Sequence, residues 1–249
     1  MPRAPRVISE SGYYHVILRG NGRQLIFEDD ADRRAFLETL ARRAGDAGIR
    51  VLAWCLMENH VHLVLDDQGR ELSRAMHRLA GDYAQRFNRR SGHVGHVFES
   101  RFKSCAIESD SYLLQAIRYV HDNPAKAGVS PAAEYPWSSY HEYVDSPVIS
   151  DTSTALDMLG GVDGFVAFSR EGQPRPYRFD RRSRVPDDEM GDVAKLVLGD
   201  LPAHEVGGLP KPERNDVLLR LRETGLSVRQ IERLTGVGHG TISRVTHGR

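Results

Sequence analysis

Cysteine is nearly absent from this chain of 249 residues: Cys55 and Cys105 are the only two. One sits in an apolar stretch and the other beside charged residues, which argues against a disulfide framework or a cysteine zinc site and leaves reduced thiols as the expectation. No run of about 18 apolar residues occurs, so no membrane span is predicted. The opening "MPRAPRVISESGYY" lacks the apolar stretch of a secretory signal, and the expected location is the cytoplasm. Net charge is missing too, because 34 Lys plus Arg balance 34 Asp plus Glu. A neutral chain argues against a nucleic-acid partner, since binding to phosphate backbones depends on cations. The average hides a partition, however: residues 210–249 carry 8 basic and 4 acidic side chains.

What is present begins with "GYYHVILRG" (12–20), whose aromatic and β-branched residues predict a strand. "DDADRRAFLETLARRAGDAG" (29–48) opens with capping Asp residues and sets Phe36, Leu37, Leu40 and Ala44 on one helical stripe. "IRVLAWCLM" (49–57) and "HVHLVL" (60–65) read as a hairpin turning at Glu58 and Asn59. A helix follows over 71–90, then an extended segment over 98–109, then a helix from Asp110, as its cap, to a stop at Pro124. Strand, helix, strand, strand, helix, strand, helix is the split βαβ order plus one helix. It predicts an α+β, ferredoxin-like antiparallel sheet with helices on one face and the other face open to ligands. Residues 146–172 read as a short helical appendix, and the Pro-rich, charged stretch 173–189 as a linker. Residues 190–249 carry three helical segments punctuated by glycines at 225, 236, 238 and 240, with Ser227 placed to cap the second.

"ENHVHLVL" (58–65) holds the first chemical signal. Residues i and i+2 of a strand share a face, so His60 and His62 point one way while Val61, Leu63 and Leu65 point into the core. Such a pair can hold one metal ion, or it can be satisfied by neighbouring hydroxyls and carbonyls; the spacing does not choose. On the helix 110–123, Tyr119 and Asn123 are four apart and share a face. Asn123 offers a carbonyl oxygen suited to a hard cation, and Tyr119 a phenol able to act as a nucleophile. A packed tyrosine and a helix-capping asparagine are the alternative for that pair.

Taken together, the His-x-His strand, the later Tyr and Asn, and the split βαβ order carry a resemblance to the REP-associated tyrosine transposases of the HUH single-strand nuclease superfamily. The likeness spans residues 9–145, through "YYHVILRGNGRQLIF", "MENHVHLVL", "FESRFKSCAIESDSYLLQAIRYVHDNPAKAGV" and "YPWSSYHEY". It implies that His60 and His62 are metal ligands, that Asn123 supplies the third, that Mg²⁺ or Mn²⁺ is the cofactor, and that Tyr119 is the nucleophile. Glu58 departs from the Pro that many relatives carry before the Asn, and Asn123 stands where other HUH transposases use Gln. The implied product is a 5′-phosphotyrosine with a free 3′-hydroxyl, which allows rejoining of single-stranded or hairpin DNA. Relatives work as monomers or as homodimers that exchange the tyrosine helix.

Arg19 and Arg23 in "RGNGRQ", and Arg101 and Lys103 in "SRFKS", are candidates for DNA contact. His15, His93, His96 and His121 are weaker ligand candidates, with His121 expected at the surface. Tyr112 competes with Tyr119 but has Ala116 at its own i+4. The tail, 190–249, resembles helix-turn-helix modules. That implies duplex binding through 239–247, with Thr241, Ser243 and Arg244 toward a major groove. The expected function is a metal-dependent single-strand DNA transposase and endonuclease with a duplex-binding tail. A catalytically silent DNA-binding regulator built from the same parts is the alternative, and a barrel metallohydrolase lacks the repeated βα units it would need.

Overall fold

The computed structural model describes residues 8–171, 190–199, 201–224 and 226–247. The predicted linker at 173–189 and Gly225 lie outside them. The chain divides into two compact units, Met1–Gly172 and Gln173–Arg249.

In chain order the first unit contains β1 (Tyr13–Arg19), α1 (Asp30–Asp46), β2 (Arg50–Met57), β3 (His60–Asp66), α2 (Leu72–Ser91), β4 (Lys103–Ile107) and α3 (Asp110–His121). Four short helices follow: α4 (Asn123–Lys126), α5 (Tyr140–Val144), α6 (Ser153–Leu159) and α7 (Val162–Arg170). The strands form one antiparallel sheet in the order β2-β3-β1-β4, so β1 and β3 are central, as the split βαβ order predicts.

Alternation decides which side chains the sheet buries on each face. Tyr14, Val16 and Leu18 of β1, Trp54 and Leu56 of β2, and Val61, Leu63 and Leu65 of β3 join one core with Phe36 and Leu40 of α1 and Met76, Leu79 and Tyr83 of α2. Each fully buried aliphatic contributes about 1.5–3 kcal/mol. A one-residue slip of β3 would exchange Val61, Leu63 and Leu65 for His60, His62 and Val64, so the apolar set fixes the register that presents the histidines.

Caps set the helix starts. Asp29 accepts from the amides of Ala31 and Asp32 at the head of α1, and Asp67 accepts from those of Glu71 and Leu72, both 2.8 Å, at the head of α2. At α3 the cap is Ser109, whose hydroxyl accepts from Tyr112 N, and not Asp110. The helix ends at His121, before Pro124, which lies in the first turn of α4 instead.

One further difference from the sequence reading concerns the second face. The sheet is covered on one side by α1 and α2, while α3 packs on the other, against β2 and β3, so that face is not open throughout. The apolar stripe of α3, Leu113, Ala116, Ile117 and Val120, requires such a partner and finds it there.

The second unit contains α8 (Met190–Leu198), a 3-10 turn (Ala203–Gly208), α9 (Lys211–Glu223), α10 (Val228–Thr235) and α11 (His239–His247). Val193, Val206, Leu218, Leu221, Leu226, Ile231 and Ile242 form its core. Ser227 and Gln230 make a reciprocal capping box at the head of α10, and Gly236, at φ 68°, closes its end.

Candidate active site

The sheet face turned away from α1 and α2 gathers the histidines. Across β1 and β3, Arg19 stands opposite His60, Ile17 opposite His62 and His15 opposite Val64. His15 is thus the diagonal neighbour of His62, within reach of a ring. Their nitrogens meet, His15 Nε2 lying 2.9 Å from His62 Nδ1, and the ring centroids are 5.1 Å apart. His60 lies 5.0 Å from His62, ring to ring, and its Nδ1 is 2.7 Å from Asn59 Oδ1. His15 and His62 are buried, while His60 is half-buried.

Tyr119 comes down on this group from α3. Its ring stands edge-on to His15 at 5.7 Å and to His62 at 5.8 Å. Tyr112 lies two turns earlier on the same helix, about 10 Å along its axis. Asn123 is joined to Tyr119 differently from the sequence expectation. The α3 helix breaks after His121, and Asn123 opens α4 with its Nδ2 donating to the Tyr119 carbonyl at 2.8 Å. With its NH₂ group so placed, Oδ1 is the ligand atom Asn123 has left to offer.

Burial is the main electrostatic effect on the three histidines. It lowers His15 to about 3 and His60 to about 4, and holds His62 well below the ordinary value, with His15, His60, Arg19 and Lys126 adding to the shift at His62. All three are therefore neutral at pH 7, the form in which an imidazole can ligate a metal ion. His60 has a second feature of a ligand. A neutral ring that donates Nδ1–H to Asn59 Oδ1 keeps its lone pair on Nε2, the arrangement by which an outer partner orients a metal-binding histidine. Two imidazole nitrogens and an amide oxygen fit a divalent cation that keeps open positions. Among the described residues no three His, Cys, Asp or Glu side chains are placed to hold a metal ion, so a third ligand beside His60 and His62 would have to come from another donor such as the Asn123 amide.

Other candidates divide. Arg19 lies on the histidine face beside His60, and Lys103, opposite Ile17, shares that face at the edge strand, 4.0 Å from Glu99. Arg23 is carried by the turn after β1, where it adopts φ 63° and its carbonyl accepts from Asn59 Nδ2 at 3.3 Å. Arg101 is elsewhere: it lines a cavity of about 720 Å³ with Phe98, Phe102, His77 and Ala80, along α2. In the second unit Thr241 and Ser243 are half-buried on either side of the buried Ile242, and Arg244 is exposed.

The sequence reading ranks His15 only as a weaker ligand candidate, because its relevance depends on the register between β1 and β3, which β1 alone does not reveal, and it does not single out Lys126 at all. Lys126 stands with its ammonium 3.9 Å from the centre of the Tyr119 ring, a contact created by the break before α4. His121, expected at the surface, is 1% exposed. Tyr140, Tyr143 and Phe165 of α5 and α7 surround it at 5.3–5.8 Å, and its Nε2 meets Ser139 Oγ at 2.9 Å. It is a packing residue, turned to α5 and α7 rather than to His62. Burial also raises the Cys55 thiol, which is free, well above its ordinary range and leaves it inert.

Comparison with known proteins finds a family model that matches part of this chain. The family model for IS200-like transposases matches residues 8–123. Comparison with curated proteins finds no match. Among solved structures, the chain is similar to a REP-associated tyrosine transposase bound to a REP hairpin, at 18% identity and TM-score 0.49, covering 58% of this chain and 86% of that one. It is also similar to a candidate transposase from Deinococcus radiodurans R1, at 19% identity and TM-score 0.35, covering 49% of this chain and 97% of that one. The stretch that the IS200-like transposase model matches, residues 8–123, includes β1, both histidines of β3, Tyr119 and Asn123.

Proposed function

We propose that this protein is a DNA transposase that cleaves and rejoins single-stranded DNA, in particular hairpin-forming repeats, with Tyr119 as nucleophile and His60, His62 and Asn123 as ligands of Mg²⁺ or Mn²⁺. The observation that carries the reading is the placement of the Tyr119 ring edge-on to His62, with His60 beside it. The Tyr119 oxygen forms a bond to phosphorus as the bond to the 3′-oxygen breaks. The phenol proton leaves to solvent, and the departing 3′-oxygen takes one up, giving a 5′-phosphotyrosine and a 3′-hydroxyl that can reverse the step. A divalent cation held by these donors supplies polarisation of a non-bridging phosphate oxygen. Because the donors are neutral, they leave the ion's charge undiminished for the phosphate, and metal binding is expected to strengthen when DNA is present.

Around this centre Arg19 and Lys103 share the histidine face and are assigned to the phosphates of the bound strand, with Arg23 beside them on its turn. The Lys126 ammonium over the Tyr119 ring favours negative charge on the phenol oxygen as its proton leaves. For the second unit we propose duplex binding. The helix pair α10 and α11, joined across Gly236–Gly238, has the short glycine turn of helix-turn-helix modules, and Thr241, Ser243 and Arg244 stand on its second helix.

The test is cleavage of a hairpin oligonucleotide carrying a single-stranded flank. With Mg²⁺ or Mn²⁺ the protein should produce a fragment ending in a 3′-hydroxyl, and His60→Ala should lower the rate by at least about 100-fold while the circular dichroism spectrum stays unchanged. Full activity of His60→Ala, or equal activity in excess EDTA, would remove the metal from the reading.

A further inference from the structure

The pair formed by His15 and His62 poses a question of proton placement. Both rings are buried and neutral, and one proton lies between His15 Nε2 and His62 Nδ1. If His15 donated it, His62 would carry its own proton on Nε2 and have no lone pair outside the pair. If His62 donates, Nε2 of His62 is bare. The two tautomers therefore differ in whether His62 has a lone pair to offer a metal ion.

We propose that His15 is a positioning residue. It accepts the Nδ1–H of His62 and so holds His62 with Nε2 as a bare, ligand-competent nitrogen, while its own ring supports the edge of Tyr119. The proposal rests on the metal-dependent reading of the site given above, and it adds the partner that orients His62, as Asn59 orients His60. The surroundings favour it. His15 has no exposed surface, and the residues directly across from His62 are Ile17 and Cys55, neither of which carries a carboxylate or a hydroxyl to accept its Nδ1–H. Burying an imidazole is costly unless it is hydrogen-bonded, so a merely space-filling position would have favoured Val or Ile, as at Val16 and Ile17. The tyrosine edge at 5.7 Å links the same ring to the nucleophile, so one side chain braces a ligand and the attacking group together.

The test joins two measurements. In metal-free, full-length protein carrying ¹⁵N-histidine, long-range proton–nitrogen spectra should show His62 protonated on Nδ1 and bare on Nε2. Then Mn²⁺ affinity is measured by electron paramagnetic resonance on wild type, His15→Phe and His15→Gln in the presence of an uncleavable hairpin oligonucleotide. His15→Phe, which fills the site without an acceptor, should weaken Mn²⁺ binding about 10–100-fold. His15→Gln, whose amide oxygen can accept the same proton, should recover most of it. A buried ring of purely structural value would change melting temperature in both variants and leave their Mn²⁺ affinities equal. A wild-type His62 protonated on Nε2, or His15→Phe that binds Mn²⁺ as wild type does, overturns the proposal, and the spectrum of the wild type decides even if a variant fails to fold. Wild-type protein that binds no Mn²⁺ with or without DNA overturns the ligand reading itself, whereas Mn²⁺ binding with the wrong tautomer overturns only the role of His15.

Discussion

Asn59 shows how closely one residue can bind chemistry to chain geometry. Its backbone carbonyl accepts from Gly20 N at 2.8 Å, its Oδ1 meets His60 Nδ1, and its Nδ2 reaches the Arg23 carbonyl. The hairpin turn that presents the histidines is thereby tied to the turn that presents Arg23. At the same scale, burial of neutral imidazoles has a consequence for stability. His15 and His121 titrate near 3 in the fold and His62 well below the ordinary value, against about 6.5 in an unfolded chain. Above pH 6.5 neither state gains protons and these groups contribute no slope. Below it the unfolded chain takes up protons that the fold refuses, so stability falls as pH falls, by up to about 1.4 kcal/mol per pH unit for each such group. Asp29 and Asp151, whose pKa values are lowered by their Arg90 and Ser153 partners, act only nearer pH 4. Urea denaturation at pH 7.5, 6.5 and 5.5 should give nearly equal midpoints at the first two and a clear drop at the third. A flat profile to pH 5.5 would contradict the buried, neutral assignment.

At the scale of elements, the turn after β1 carries strain with a purpose. A Cβ on Gly20 would lie 2.2 Å from the Gln24 carbonyl oxygen, so only glycine lets the chain close there. Three residues on, Arg23 occupies the left-handed region, which costs a side-chain-bearing residue about 1–2 kcal/mol. Arg23→Gly removes that strain and adds backbone entropy to the unfolded chain, so the net change in unfolding free energy should be a gain of no more than about 1 kcal/mol. Affinity for single-stranded DNA should fall several-fold, with a shallower salt dependence. Calorimetry and fluorescence anisotropy check both parts, and a Gly variant that is destabilised while binding DNA normally would contradict the role given to Arg23. The strands, α1 and α2 are legible in the sequence because their alternation and their 3.6-residue stripes each face one core. The path of α3 is less legible. Its stripe predicts burial without saying on which face of the sheet, and His121 reads as a surface residue because its partners, Tyr140, Tyr143 and Phe165, sit on short helices 19 to 44 residues further along. The break at Asp122, which brings Lys126 onto Tyr119, follows from the Asn123-Pro124 pair, since a proline restricts the residue before it. The pairing of His60 with His62 was readable from spacing; the pairing of His62 with His15 needed the register.

For the whole molecule, the proposed function assigns a different kind of DNA contact to each of the two units. The first unit contains the histidine face and the tyrosine on one chain, so the phenol reaches His62 without help from a second copy. No helix among the described residues is long and apolar enough to cross a membrane. The second unit takes its basic excess from residues 210–249, which is the charge that the proposed duplex binding would use. Arg244→Ala should weaken duplex binding by about 1–3 kcal/mol if Arg244 reads a base, and leave the rate of hairpin cleavage at saturating oligonucleotide unchanged. Electrophoretic mobility shift on duplex and cleavage on hairpin measure the two separately, and equal losses in both would contradict the separation.

The central claim is that Tyr119 forms the covalent bond to DNA. The direct measurement is to incubate the full-length protein with a labelled hairpin oligonucleotide and Mg²⁺ or Mn²⁺, isolate the denaturant-stable protein–DNA adduct, and map the modified peptide by mass spectrometry. The account predicts an adduct on Tyr119, absent from Tyr119→Phe even though that variant still binds the hairpin. An adduct that persists in Tyr119→Phe, or that maps to Tyr112, would contradict it.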